Sequence, residues 1–368
     1  MNYPRQAREL AEAKTEHGWL AEAPGHCLQQ TLMDLDRACR AQGTFRVRWR
    51  SSRRWRPAFR FPEGNKMTVQ RLNRRHARVK LPKLGWVKFR LSRPLDGALI
   101  RSATLSCEGR HWFIAFVVDD GKQVPPAHAN PGSAVGVDRG VVAALATSDG
   151  VVLNRQFARG GEQRRVVALQ RKLSRSAHRG RNRDKTRAAL AKVWARERLR
   201  RRDFCAQAAR QLAAANAVVV LEDLKTRQMT RSAKGTLTEP GRNVKAKSGL
   251  NRAILAKGWH QFALALSSMA RYTGTTVVTV PAPLTSQRCS ACGHVDPKSR
   301  ESQAVFRCTR CAHYEHADIN AARNILAAGL AVTACQDQIR PSDRRRSLKQ
   351  EPAGNREGLL LRPHTPVA

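Results

Sequence analysis

Two cysteine pairs constrain this chain more than any other feature. Cys289-x2-Cys292 and Cys308-x2-Cys311 stand fifteen residues apart, a C-x2-C-x15-C-x2-C pattern of the spacing that brings four thiolates to one tetrahedral zinc ion. Each pair closes a tight turn, so two sulfurs can meet one ion at about 2.3 Å. Gly293 suits a left-handed position after the first pair, and Ala312 fills the equivalent place after the second. With every position taken by protein thiolate, the expected Zn²⁺ is structural rather than catalytic. Four unconnected thiols are the plain alternative, and His294, His313 and His316 lie near enough in sequence to substitute as ligands. The nine Cys are an odd number for a disulfide framework. They point to a reducing compartment, hence to a cytoplasmic, nucleoid-associated protein.

The remainder is cationic. The whole chain of 368 residues carries 68 Lys/Arg against 28 Asp/Glu, a net charge of +40. Self-repulsion on that scale destabilises a compact state unless a polyanion neutralises it, so a nucleic-acid partner is expected. An anionic membrane surface is the rival partner. No stretch reaches eighteen apolar residues, no basic amphipathic helix dominates, and Met1–Glu16 lacks the apolar core of a signal peptide, so no membrane partner is expected.

Residues 1–42 read as helical, with Leu10, Leu20, Leu28, Leu32 and Leu35 near helical spacing and a break at Pro24-Gly25. Residues 43–122 read as a small, barrel-like β domain. Phe45, Val47 and Trp49 alternate with Arg46, Arg48 and Arg50, and further strands are expected at Val79–Leu81, Trp86–Leu91, Ala98–Cys107 and Trp112–Val118. Between Gly43 and Arg93 there are 17 Lys/Arg and one acid, Glu63, too lopsided for a merely solvated face. Residues 123–132 form a proline-containing linker.

Residues 133–284 read as α/β. Strands are expected at Ala134–Val137, Val141–Ala146 and Val151–Leu153, with an Asp149-Gly150 hairpin turn. A basic helical hairpin follows from Gly161 to Ala214, then a strand at Val218–Leu221. A polar loop at Thr226–Ser248 reads either as a lid or as a solvated linker. A helix at Leu250–Arg271 and a strand at Thr275–Val280 complete this part. Residues 285–315 carry the cysteines, 316–334 a final helix, and 335–368 a polar tail expected to be disordered.

Three acids stand at the edges of these elements. Asp138 ends one strand, Glu222 ends another and Asp318 begins the last helix. Strand ends and helix starts are where α/β sheets place chemistry. Three convergent carboxylates repel one another unless cations lie between them, which implies hard divalent ions. Two Mg²⁺ would serve a phosphodiester cleavage. Each acid also has a plain role: Asp138 as a turn residue, Glu222-Asp223 as an exposed pair, and Asp318 as a helix cap.

Taken together, four segments resemble the TnpB (OrfB) family, transposon-encoded relatives of type V CRISPR effectors. They are Gly136-Val137-Asp138-Arg139-Gly140, Val219-Val220-Leu221-Glu222-Asp223-Leu224, Thr285-Ser286-Gln287-Arg288-Cys289-Ser290-Ala291-Cys292-Gly293, and Ala317-Asp318-Ile319-Asn320-Ala321-Ala322-Arg323-Asn324-Ile325. Their order matches the family's, over roughly residues 20 to 330.

The resemblance implies an RNase H-like, RuvC-type nuclease core with an inserted zinc ribbon. It implies a β-barrel-like wedge domain before that core, and N-terminal helices from a recognition lobe. Asp138, Glu222 and Asp318 match the metal-binding catalytic acids. Family members bind a guide RNA made from the transposon end and cut double-stranded DNA that pairs with it. A monomer bound to RNA is the expected form. The family opens with a further strand and more helix ahead of the segment beginning here near Trp19, so an N-terminally shortened chain is expected.

Three functions compete: an RNA-guided, Mg²⁺-dependent DNA endonuclease accessory to transposition; a catalytically inactive RNA/DNA binder or regulator; and a true cut-and-paste transposase.

Overall fold

A computed structural model describes residues 2–337, except 48, 50–56, 96, 109–110, 120, 122, 177–179 and 282. The expected tail beyond 337 lies outside the described residues. The chain forms two compact units, one of Met1–Val124 with Phe157–Leu199, the other of Pro125–Gln156 with the chain from Arg200 onward. Residues 157–199, grouped by sequence with the α/β part, thus group in space with the N-terminal unit.

The first unit opens with α1 (Tyr3–Glu16), α2 (Gly18–Glu22) and α3 (Gly25–Gln42). Pro4 sits in the first turn of α1, where its missing N–H costs nothing, and Gly43 ends α3 at a φ of +84°. Six strands follow: β1 (Ala58–Phe61), β2 (Thr68–Arg71), β3 (His76–Leu81), β4 (Gly85–Arg90), β5 (Leu99–Glu108) and β6 (His111–Asp119). Among the described residues they form two separate antiparallel sheets, ordered β1-β5-β6 and β2-β3-β4, rather than one closed sheet.

Both sheets turn an apolar face to one core. Cys27, Phe61, Met67, Val79, Leu81 and Ala103 are buried there, packed by Val69, Val87, Phe89, Ile114 and Phe116. Among the described residues, no strand forms at Phe45, Val47 or Trp49: Thr44–Arg46 is a 3₁₀ turn, and Phe45 and Trp49 are exposed. Arg48 and Arg50 fall outside the described residues. Strands β1 and β2 were not anticipated, since Pro57, Pro62 and Gly64 break up their pattern.

The basic helical hairpin is α4 (Gly160–Arg175) and α5 (Arg181–Ala215). Arg183 Nη1 closes it by donating to the carbonyls of Leu173, at 2.6 Å, and Ser176, at 3.1 Å, at the end of α4.

The second unit is built on a five-stranded sheet that begins with β7 (Ala134–Asp138), β8 (Leu145–Thr147) and β9 (Val152–Leu153). It continues with β10 (Val218–Glu222), followed by α6 (Thr226–Met229), α7 (Val244–Lys257), α8 (Trp259–Thr273) and then β11 (Thr276–Val280). The order is β11-β10-β7-β8-β9. β7, β10 and β11 run parallel, while β8 and β9 are antiparallel additions. Valine runs in the parallel strands fit burial on both faces, and Val135, Val137, Val219, Val220 and Leu221 are buried.

A small hairpin, β12 (Val305–Arg307) with β13 (Tyr314–His316), leads into α9 (Ala317–Asp337). α9 lies across the sheet at two glycines. A Cβ on Gly136 would come within 2.1 Å of the Ala322 carbonyl oxygen, and one on Gly329 within 2.4 Å of Val220. The expected helix at 250–271 is broken in two at Gly258, whose φ of +75° no helix interior accepts. The polar stretch 226–248 contains α6 and the start of α7, tied together by Lys247 Nζ on the Met229 carbonyl at 2.6 Å.

Candidate active site and metal centre

The register of β7 and β10 places two acids side by side. Their last pair is Leu221 with Val137; one residue further along each strand stand Glu222 and Asp138. Asp318 occupies the first turn of α9 and is buried. It reaches the same strand ends because Gly140, two residues beyond Asp138, has no side chain: a Cβ there would lie 3.2 Å from Asp318 Oδ2.

The electrostatics at Asp138 register both other acids. Burial raises the Asp138 carboxyl to about 7. Repulsion from Glu222 and Asp318 adds to this, against the pull of Arg300 and of the Arg139 backbone N–H. Burial also raises Glu222, opposed by the Thr285 hydroxyl, which donates to Glu222 Oε1 at 2.5 Å, and by Arg139 and Arg300. Two arginines therefore brace the acids. Arg139 is buried and donates to the Glu222 backbone carbonyl. Arg300 Nη2 sits 3.1 Å from Asp318 Oδ1.

Sequence reasoning gave neither arginine a role, nor Thr285. Arg300 lies between the cysteine pairs, where nothing in its neighbourhood marks it.

Asn320 and Asn324 repeat at helical spacing on α9 and fasten that helix to the approach to the first cysteine pair. Asn320 Nδ2 donates to the Arg288 carbonyl at 2.8 Å, and its Oδ1 accepts from Ser290 N at 2.9 Å. Asn324 Nδ2 donates to the Thr285 and Arg288 carbonyls at 2.9 and 2.7 Å. One helix thus carries Asp318 and anchors the segment that supplies Thr285.

The four cysteines converge. Their sulfurs all lie within 4.8 Å of one another, with Cys289–Cys311 at 3.7 Å and Cys292–Cys308 at 3.6 Å. A tetrahedral ion with Zn–S bonds of about 2.3 Å requires S···S edges of about 3.8 Å, so the sulfurs fit zinc and are too far apart for disulfides.

The two turns are built alike. Gly293 N donates to the Cys289 carbonyl and Ala312 N to that of Cys308, with φ of +74° and +59°. Ala312 accepts the left-handed backbone that Gly would take more easily. Burial raises the Cys308 thiol, but amide donors from Cys311 and Arg310 outweigh it and bring the group down to about 6, towards the thiolate a metal needs. His313 lies on Ser290 and Glu315 rather than on the sulfurs. Among the described residues, these thiols are the group whose ligand atoms gather so tightly. The three carboxylates do not; Arg300 holds an oxygen of Asp318 and Thr285 one of Glu222.

In the first unit, the outer face of the β2-β3-β4 sheet is polar and cationic. Register places Gln70, Arg78 and Lys88 in one row, and Lys80 beside Trp86 in the next. The Arg78 guanidinium lies 4.4 Å from the Trp86 ring centroid, a cation–π stack.

Residues 115–233 match the family described as "Probable transposase" (OrfB_IS605), and residues 259–325 match "Cas12f1-like, TNB domain". The chain is 38% identical to "Putative RNA-guided DNA endonuclease InsQ" of Escherichia coli (strain K12), over 95% of this chain and 85% of that protein. It is 31% identical to "Putative RNA-guided DNA endonuclease" of Streptomyces pristinaespiralis, over 98% of this chain and 87% of the relative. A solved structure, "Cryo-EM structure of the Cas12f1-sgRNA-target DNA complex", aligns at 15% identity with a TM-score of 0.44, over 73% of this chain and 59% of that one. No helix among the described residues is long and apolar enough to cross a membrane.

Proposed function

The chain belongs to the TnpB/OrfB family, and on that premise we propose that it is an RNA-guided DNA endonuclease of an insertion sequence, accessory to transposition. The guide would be RNA from the transposon end and the substrate double-stranded DNA, with the protein acting as an RNA-bound monomer in the cytoplasm at the nucleoid. The observation that carries this reading is the position of Asp138 and Glu222 at adjoining parallel strand ends, with Asp318 buried in the first turn of the helix that lies across them.

A mixed five-stranded sheet with acids at two neighbouring parallel strand ends, covered by a helix bearing the third, supports an RNase H-like, RuvC-type core. The basic two-sheet unit supports the wedge assignment, and the cationic face around Arg78 fits a phosphate backbone.

Asp138, Glu222 and Asp318 would hold two Mg²⁺. Their donor set fits: all-oxygen, anionic and mutually repulsive, as a hard divalent cation requires. Bound there, the ions would supply positive charge to the attacking and leaving oxygens of a phosphodiester. The protein's part is positioning. Thr285 orients Glu222, and Arg300 orients Asp318. Arg139 ties the Asp138 strand end to the Glu222 backbone. The four cysteines would hold one structural Zn²⁺, which rigidifies the segment carrying Arg300.

The test is to co-express the protein with RNA from its own locus, sequence the bound RNA, and assay matching DNA with Mg²⁺. Cleavage by the wild type, lost in Asp138→Ala with RNA still bound, is expected. RNA bound by a wild type that never cleaves would instead indicate a guided binder. Joining of transposon ends by the protein alone would indicate a transposase.

A further inference from the structure

The backbone after Asp138 leaves its strand at once, and residues 139–144 belong to no helix or strand. An acid at a strand end just before such a segment needs the segment held. Two side chains from the α7–α8 junction, far away in sequence, take its carbonyls. The Trp259 indole Nε1 donates to the Gly140 carbonyl at 3.2 Å. Lys257 Nζ donates to the Val142 carbonyl at 2.7 Å and to Asn154 Oδ1, beside β9, at 3.1 Å.

The junction itself is built in place. Gly258 is left-handed, so Lys257 and Trp259 leave two separate helices from one point. A Cβ on Gly258 would press within 2.8 Å of Arg201 Cδ, and Arg201 Nη1 donates to the Ala256 carbonyl at 3.1 Å. Trp259 is buried, which fixes its ring.

We propose that Lys257 and Trp259 are positioning residues: they brace the 139–142 segment and thereby fix Asp138 at the end of β7, beside Glu222, for metal binding. Both ends of the segment 223–257 bear on the site, since it starts at Glu222 and finishes at this brace. Residues behind a metal ligand commonly set its geometry without touching the ion. Here the second-row contact passes through backbone carbonyls rather than through the carboxylate. This inference rests on Asp138 being a metal ligand.

Two full-length variants test it. Trp259→Phe keeps the buried ring and removes one N–H; Lys257→Met keeps the stem and removes the ammonium. Hydrogen–deuterium exchange of the peptide spanning 138–146 is measured without divalent ions, and Mn²⁺ affinity is measured by titration of the same proteins. Each variant should exchange about fivefold faster there, the factor set by one ordinary hydrogen bond. Mn²⁺ should bind about tenfold more weakly, while exchange in the zinc ribbon stays as in the wild type. With guide RNA present, kcat should fall and KM for DNA should not change.

Unchanged exchange at 138–146 would overturn the proposal. So would faster exchange with unaltered Mn²⁺ affinity, since the loop would then be braced to no effect on Asp138. If the wild type neither binds Mn²⁺ nor cuts, the nuclease reading falls. The exchange data then separate the two failures: faster exchange in both variants keeps the structural brace but not its role at a metal site, and unchanged exchange removes the brace itself.

Discussion

Replacing Asp138 by Asn should make the apo protein more stable while abolishing cleavage, and the gain should grow with pH. Burial and two neighbouring acids raise this carboxyl from 3.8 to about 7 in the folded state. A raised folded-state value means that the native protein holds its proton more tightly than the unfolded chain. The associated stability is therefore fully present below 3.8 and is lost as pH rises through 7.

With 1.36 kcal/mol per pKa unit, the stability lost relative to strongly acid pH is about 2 kcal/mol at pH 5, where the folded group is still protonated and the unfolded one is not, and about 4 kcal/mol at pH 8. An amide cannot ionise. The difference in unfolding free energy between variant and wild type should accordingly widen by between about 2 and 3 kcal/mol from pH 5 to pH 8. Urea unfolding without divalent ions, at both pH values and constant ionic strength, measures it. Adding Mg²⁺ at pH 8 should stabilise the wild type and narrow the gap, because the ions neutralise what the fold alone cannot. A variant whose advantage is the same at both pH values would refute the reasoning, since Asp138 would then not be the strained acid of a convergent set.

Three further outcomes follow from the same geometry. One zinc per chain should be found by elemental analysis; Cys308→Ser should lose it and unfold residues 285–315, visible as full exchange there while the first unit stays protected. Gly136→Ala should destabilise by about 3 kcal/mol or more, read from the urea midpoint, because its Cβ meets the α9 backbone at 2.1 Å and neither strand nor helix can retreat. Lys80→Gln with Lys88→Gln, on the exposed sheet face, should weaken RNA binding most at low salt and flatten its salt dependence, leaving the melting temperature unchanged.

The helices, most strands and the zinc turns were legible because each is written over short range. Leucine spacing marked the N-terminal helices, valine runs marked the parallel strands, and Cys-x2-Cys closes within one turn whatever surrounds it. Local reading erred where a partner decides. Phe45, Val47 and Trp49 alternate correctly for a strand, yet among the described residues they pair with none: Phe45 sits in a 3₁₀ turn, and the rings of Phe45 and Trp49 are exposed. Gly258 sits inside a continuous helical pattern, yet takes a left-handed backbone with Arg201 packed against it.

By itself, the sequence singled out the candidate residues for chemistry here. The four cysteines have a spacing that permits one dominant geometry, and the acids stand out because a chain so rich in cations places few carboxylates at apolar strand ends. Only the tertiary structure decided how those acids meet. The parallel register of β7 and β10 sets Asp138 beside Glu222, glycines at 136 and 140 let α9 bring Asp318 close, and Arg300 arrives from between the cysteine pairs. Pairing across such separations depends on strand order and close backbone approach, and no local pattern encodes either.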